Sequence, residues 1–211
     1  KIISQYGVKK STKISLLLLF VSILISLFSI NDMMFLLSRL MQGFSAAILA
    51  ISLYVIIVEE FEDSEIGSAL GVVSSAGYIG LLIAPVVMGF AIVLFDWKWA
   101  FVMVLPIIAI LMILLNRIDY EWTTEKKHVD NIGSLIYVVM MCLFTYGMTL
   151  LDEFGIVFVV VSFILFIILV KVEKNVPEPI FNFKLLKDAK YVSGNYAAMV
   201  TYFTTTITIT V

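Results

Sequence analysis

One cysteine and one histidine occur in the 211 residues. Cys142, alone and inside an apolar run, excludes a disulfide framework and a cysteine metal site. His128 stands beside Lys126, Lys127 and Asp130, so the apolar segments hold no imidazole. Charge is equally scarce. Asp, Glu, Lys and Arg make up 14% of the chain, against about 25% in a soluble domain. No carboxylate falls inside the long apolar runs, which leaves an intramembrane enzyme without its acid or base. No phosphate-binding glycine loop or metal-ligand spacing occurs, and the acidic cluster Glu59, Glu60, Glu62, Asp63 and Glu65 reads as a solvated turn. The sequence therefore implies no enzyme, no cofactor, no metal and no nucleic-acid partner.

Apolar residues are abundant instead. They make up 62% of the chain, with a mean hydropathy of +1.08. They form uncharged runs at residues 14–31, 66–95, 99–116, 131–151, 154–170 and 191–211, and a seventh at 33–58 is broken only by Arg39. About 20 such residues span the roughly 30 Å of bilayer hydrocarbon. The expected fold is all-α, a polytopic membrane helix bundle with six full spans and a truncated seventh. Residues 66–95 exceed a straight span, so that helix should tilt or begin in the interface. Threonine alternates with apolar residues over 204–211. A lone strand in lipid would leave its backbone unpaired, so a helix is expected there too. With Lys1 at one end and an apolar run at the other, the chain reads as an internal fragment.

Counting loops alternately places twelve of the fourteen basic residues on one side, only Lys98 on the other, and Arg39 in the membrane. By the positive-inside rule the lysine-rich loops and the Lys1 end face the cytoplasm of a plasma-membrane protein.

Arg39 is the one charge inside a span. A cation there costs roughly 2.5–3.5 kcal/mol on insertion scales and usually has a partner, a wet path or a job. Gln42 and Gly43 follow at helical spacing on one face, continued by Ala46, Ala47 and Ala50. Outward snorkelling of the guanidinium is the alternative reading. The next span contains Gly67, Gly71, Gly77, Gly80, Gly89 and Pro85. Ala76, Gly80 and Ala84 repeat every four residues, a seam for close helix approach, and Pro85 should bend the helix where the seam ends. A static packing surface and a moving contact both fit this pattern.

Arg39-Leu-Met-Gln42-Gly43 with Ala46-Ala47 resembles the R-x-x-Q-G-x-x-A-A motif of the fourth helix of the major facilitator superfamily. Gly77-x-x-Gly80-x-x-x-Ala84-Pro85-x-x-Met88-Gly89 is similar to the fifth-helix antiporter motif, with Ala84 and Met88 in place of two glycines. Trp97-Lys98-Trp99-Ala100-Phe101 resembles the W-R-W-x-F that opens the sixth helix, and Asp130-Asn-Ile-Gly133 and Glu173 with Pro177-Glu-Pro-Ile180 resemble later family signatures. In the first loop Gly7, Lys9 and Lys10 match the end of D-R-x-G-R-K, whereas Ser4 and Gln5 replace its acid and arginine. The resemblance is to the drug–proton antiporter branch with fourteen spans.

That resemblance implies a cytoplasmic loop at 1–13 and the third to sixth helices of the N-terminal bundle at 14–116. Then follow a cytoplasmic linker at 117–131, an inserted helix pair at 132–170, a second linker at 171–190 and the start of the C-terminal bundle at 191–211. Residues 177–190 read as an interfacial helix or a solvated connector. The implied function is proton-coupled export of drugs or other hydrophobic compounds, with antibiotic resistance as a phenotype. Arg39, Gln42 and Gly43 would face the cavity. Gly77, Gly80, Ala84, Pro85 and Gly89 would meet the other bundle, and Gly7, Lys9 and Lys10 would serve the cytoplasmic loop. The partners would be bilayer, protons and a small hydrophobic substrate, acting on a monomer. A non-transporting sensor or assembly module, and a transporter of another solute, stay open as alternatives.

Overall fold

The computed structural model describes residues 2–122, 131–150, 153–174, 176, 179 and 183–210. Among them are eight α-helices, one 3-10 turn and no strand. A short α1 (Ile2–Tyr6) leads into α2 (Val8–Leu27), α3 (Asp32–Glu60), α4 (Ile66–Leu94) and α5 (Trp99–Arg117). After these come α6 (Asn131–Thr149), α7 (Glu153–Glu173), the 3-10 turn Phe183–Lys187 and α8 (Ala189–Thr210). Six of them, α2 to α7, are long and apolar enough to cross a membrane. The all-α polytopic bundle expected from the apolar runs is what forms, with α8 as a further helix.

Local chemistry sets the boundaries. The Asn31 side chain accepts a hydrogen bond from the Met34 amide at 2.8 Å and caps α3. Gly7 separates α1 from α2 with φ 84° and ψ 155°. Residues 1–13 read as a loop from their charge, yet α1 and the start of α2 are helical on both sides of Gly7, which puts Lys9, Lys10 and Lys13 on the first turns of α2. Lysine and serine tolerate a helix, and the glycine alone imposes the break. Helix α4 runs unbroken through Pro85, and α5 through Pro106. The threonine-rich end of α8 is satisfied inside a helix: Thr201, Thr204, Thr205 and Thr206 each donate to a carbonyl four residues back at 2.8–2.9 Å.

Helices α1 to α5 belong to one compact unit, residues Lys1–Lys127. Its main contact joins α2 and α3, with α5 packed on α2. Both helices carry buried serines, Ser11, Ser15, Ser22 and Ser26 on α2 and Ser38, Ser45 and Ser52 on α3, and Ser26 meets Ser38 across the contact. In lipid, helices gain little by hiding apolar area from one another, and small side chains that let backbones approach take over. Several of the hydroxyls are absorbed by their own helix, as Ser22 donates to the Leu19 carbonyl and Ser45 to that of Met41. Ile3, Val8, Leu16, Ile23, Ile48, Ile108, Leu115 and Trp122 complete the core. Helix α4 lies at the edge, with Ala91 its one buried residue.

The second unit, His128–Val211, centres on the α6–α7 pair. These helices meet at two glycines. A Cβ on Gly147 would lie 2.7 Å from the Gly155 carbonyl oxygen, and one on Gly155 would lie 2.6 Å from the Gly147 oxygen. Edge-to-face pairs, Tyr146 with Phe158 at 5.3 Å and Phe144 with Phe163 at 6.4 Å, flank the crossing. The segment read as an interfacial helix contributes the short turn Phe183–Lys187 before α8 begins. Asp130, Pro177, Glu178, Ile180 and Phe181 lie outside the described residues.

Candidate functional site

Arg39 lies seven residues into α3, about 10 Å along the axis at 1.5 Å per residue. Its guanidinium carbon lies 4.8 Å from the Phe35 ring centre and 4.9 Å from that of Phe101. Phe35 is one helical turn earlier on α3, and Phe101 comes from the first turn of α5. Nη1 donates to Gln42 Oε1 at 3.0 Å. The side chain therefore bridges Phe35 and Gln42 of α3 and Phe101 of α5. Its remaining surface is exposed, and no ion pair to it occurs among the described residues. A cation over an aromatic face at an exposed site is worth about 0.5–1 kcal/mol. The two rings offset part of the cost of placing the charge.

The aromatic support is itself built. Phe35, Trp97 and Phe101 form a triangle with centroid distances of 5.8, 5.9 and 6.4 Å, every pair edge-to-face. The Trp-Lys-Trp-Ala-Phe string that leads into α5 thus supplies Phe101, over which the guanidinium lies, and Trp97, which braces both phenylalanines. Phe35 and Trp97 also line an open pocket of about 370 Å³ with Ser29, Ile30, Asn31 and Asp32.

Gln42 turns toward α2, where its Nε2 donates to Ser26 Oγ at 2.8 Å and approaches the Ser22 carbonyl oxygen at 3.5 Å. Gly43 does not join this network. It is exposed, as are Ala46, Ala47 and Ala50, and nothing lies within 4 Å of a Cβ built on it. The same holds for Gly77, Gly80 and Gly89 on α4, and Ala84 and Pro85 are exposed beside them. The structure therefore brings Arg39 and Gln42 together and leaves the α4 seam open.

A second cluster gathers at the lysine-rich end. The Gly7 backbone takes a conformation that side-chain-bearing residues rarely adopt, and Glu121 Oε1 would lie 2.7 Å from a Cβ there. Lys9 Nζ donates to the Ile118 carbonyl, and Lys10 Nζ lies 5.9 Å above the Tyr6 ring. Trp122 is buried and its Nε1 donates to Glu60 Oε1, at the end of α3, at 2.5 Å. Residues 118–122 are thereby strapped across the ends of α2 and α3. Gly7→Ala is expected to cost about 1–3 kcal/mol through backbone strain, with displacement of Glu121 in addition. It should lower the detergent unfolding midpoint, whereas Gly71→Ala, with open space at its Cβ, should leave it in place.

Sequence reasoning missed Ser26, Ser38, Phe35 and the Trp122–Glu60 pair, and it noted Phe101 only as a motif residue, not as a ring under the guanidinium. The buried serines carried a signal in their spacing: intervals of four, seven and four on α2 and of seven on α3 keep them on one face.

Lipid-length helices, an intramembrane arginine with its glutamine, and an adjacent glycine-proline helix now stand together. The family model described as Major Facilitator Superfamily matches residues 1–210. This chain belongs to the Major Facilitator Superfamily. Quinolone resistance protein NorB of Staphylococcus aureus is 25% identical over 201 residues, covering 90% of this chain and 43% of that protein. Multidrug efflux pump SdrM of the same organism is 30% identical over 158 residues, covering 72% of this chain and 35% of its own length. Probable transport protein HsrA of Haemophilus influenzae is 23% identical over 117 residues, 56% of this chain and 25% of that protein. The chain thus spans less than half the length of these curated relatives. As a facilitator-superfamily chain with six lipid-length helices, it is a multi-pass membrane protein.

Proposed function

We propose that this facilitator chain forms part of a proton-coupled antiporter that exports drugs or other hydrophobic compounds from the cytoplasm. The observation that carries the reading is Arg39, a permanent cation within a span, gripped by Gln42, Phe35 and Phe101 rather than by a carboxylate. Such a charge lowers the pKa of a carboxyl brought near it, typically by 1–3 units within about 4–6 Å. A carboxyl that approaches Arg39 in one conformation and leaves it in another releases and binds a proton in step with the conformational change. The resistance and efflux proteins NorB and SdrM support the direction and the substrate class.

In this reading Gly43 and the alanines after it line the path. Gly77, Gly80, Ala84, Pro85 and Gly89 form the sliding contact with the other half of the transporter, as two bundles rock about a central site. Gly7, Lys9 and Lys10 face the cytoplasm of a plasma-membrane protein that works as a monomer. The test is export of a fluorescent hydrophobic dye from cells expressing the full-length protein. Accumulation should fall several-fold in energised cells and return to the control level on adding an uncoupler. Export that persists with the proton gradient collapsed would sink the proton-coupled reading.

A further inference from the structure

Arg39 begins a chain of hydrogen bonds that crosses from α3 to α2 and returns. Arg39 Nη1 donates to Gln42 Oε1 at 3.0 Å, and Gln42 Nε2 donates to Ser26 Oγ at 2.8 Å. The Ser26 and Ser38 hydroxyls lie 2.6 Å apart, and the Ser38 hydroxyl donates to the Phe35 carbonyl, also at 2.6 Å. A hydroxyl has a single proton. With that of Ser38 committed to Phe35, Ser26 is the donor between the two serines, and its lone pairs are left to receive Gln42. The bonds therefore run in one direction, from the guanidinium to the carbonyl of the residue whose ring it stacks on. Bonds aligned in this way polarise and strengthen one another.

From this we infer that Ser26 and Ser38 are positioning residues: they fix which way the Gln42 amide faces and so hold Arg39 in register for proton coupling. The inference rests on the coupling role proposed above for Arg39. An amide presents an acceptor on one side and a donor on the other. If the Ser26 hydroxyl is removed, Gln42 Nε2 keeps only the Ser22 carbonyl at 3.5 Å. The amide is then free to rotate and turn its donor toward the guanidinium, which has no acceptor to offer. Ser26 and Ser38 are both fully buried, so water cannot replace the missing group. The charged and titratable groups on α2 to α5 are spread over several elements, with Asp32 in the pocket lined by Phe35 and Trp97. They are Lys9, Lys10 and Lys13 on α2, Tyr78 on α4, Lys98 and Arg117 at the ends of α5, and Asp32, Tyr54, Glu59 and Glu60 on α3 itself.

The experiment measures proton-driven dye export against pH in the full-length protein, for Ser26→Ala, Ser38→Ala, Ser22→Ala and Arg39→Ala at matched membrane levels. A loosened guanidinium depresses the carboxyl less, so the pH midpoint should move upward. For Ser26→Ala about half a unit to one unit is expected, part of the full effect of a neighbouring charge, and for Ser38→Ala a smaller shift in the same direction. Ser22 is equally buried but donates within its own helix to Leu19, so Ser22→Ala should keep the wild-type midpoint. A wild-type midpoint for Ser26→Ala beside a shifted one for Arg39→Ala overturns the positioning role alone. An equal shift for Ser22→Ala also overturns it, since packing would then be the cause. An unshifted Arg39→Ala removes the coupling role and this inference with it.

Discussion

Arg39→Ala in the full-length protein is expected to reduce proton-driven export at least tenfold while membrane insertion proceeds normally. Insertion should if anything improve, because the substitution removes a charge from a span. Export should suffer because the cation seven residues into α3 is gone, and with it the field on the proton-carrying group. Arg39→Lys separates charge from shape. A lysine keeps the charge but is a compact ammonium without the planar fork that bonds Gln42 while lying over Phe35 and Phe101. Export by the lysine variant should fall between wild type and alanine. Dye efflux with and without an imposed proton gradient measures both variants. Wild-type coupling in the two together would remove Arg39 from the mechanism.

Gly80→Leu is expected to bring export to background, with the protein present in the membrane at its normal level. A Cβ at that position meets nothing within 4 Å, and Gly80 is exposed among the described residues. A failure of transport with normal insertion would thus report on the sliding contact proposed for α4. Gly147 would be an uninformative choice, since its Cβ would strike the Gly155 carbonyl oxygen at 2.7 Å. Surface biotinylation to measure insertion, paired with dye efflux, reads the two quantities separately. Wild-type efflux by Gly80→Leu would end the sliding-contact reading of α4.

The spans were legible in the sequence because lipid demands unbroken apolar length and tolerates almost no charge. The same intolerance made Arg39 conspicuous, and helical spacing identified Gln42 as its neighbour. The rest of the site depends on which helix lies against which, and periodicity does not report that. Phe101 is 62 positions from Arg39 in the chain, and only the α3–α5 contact puts its ring against the guanidinium. The serine faces were regular, yet a small hydroxyl suits a helix contact, a wet path or an internal bond to its own backbone equally well. Gly147 and Gly155 were hidden for a similar reason, because either glycine alone could be a turn or a gap. Residues 1–13 read as a loop because they are basic, whereas the backbone responds to the single glycine at position 7.

The Trp122–Glu60 bond gives α3 two masters. Glu60 lies 21 residues beyond Arg39 on the same unbroken helix, a separation of about 32 Å. A tug on the indole ring reaches the base of that rod directly, and a stiff rod that tilts at its foot swings at its head. The segment that follows α5 is thus joined, through the length of one helix, to a charge about 32 Å away.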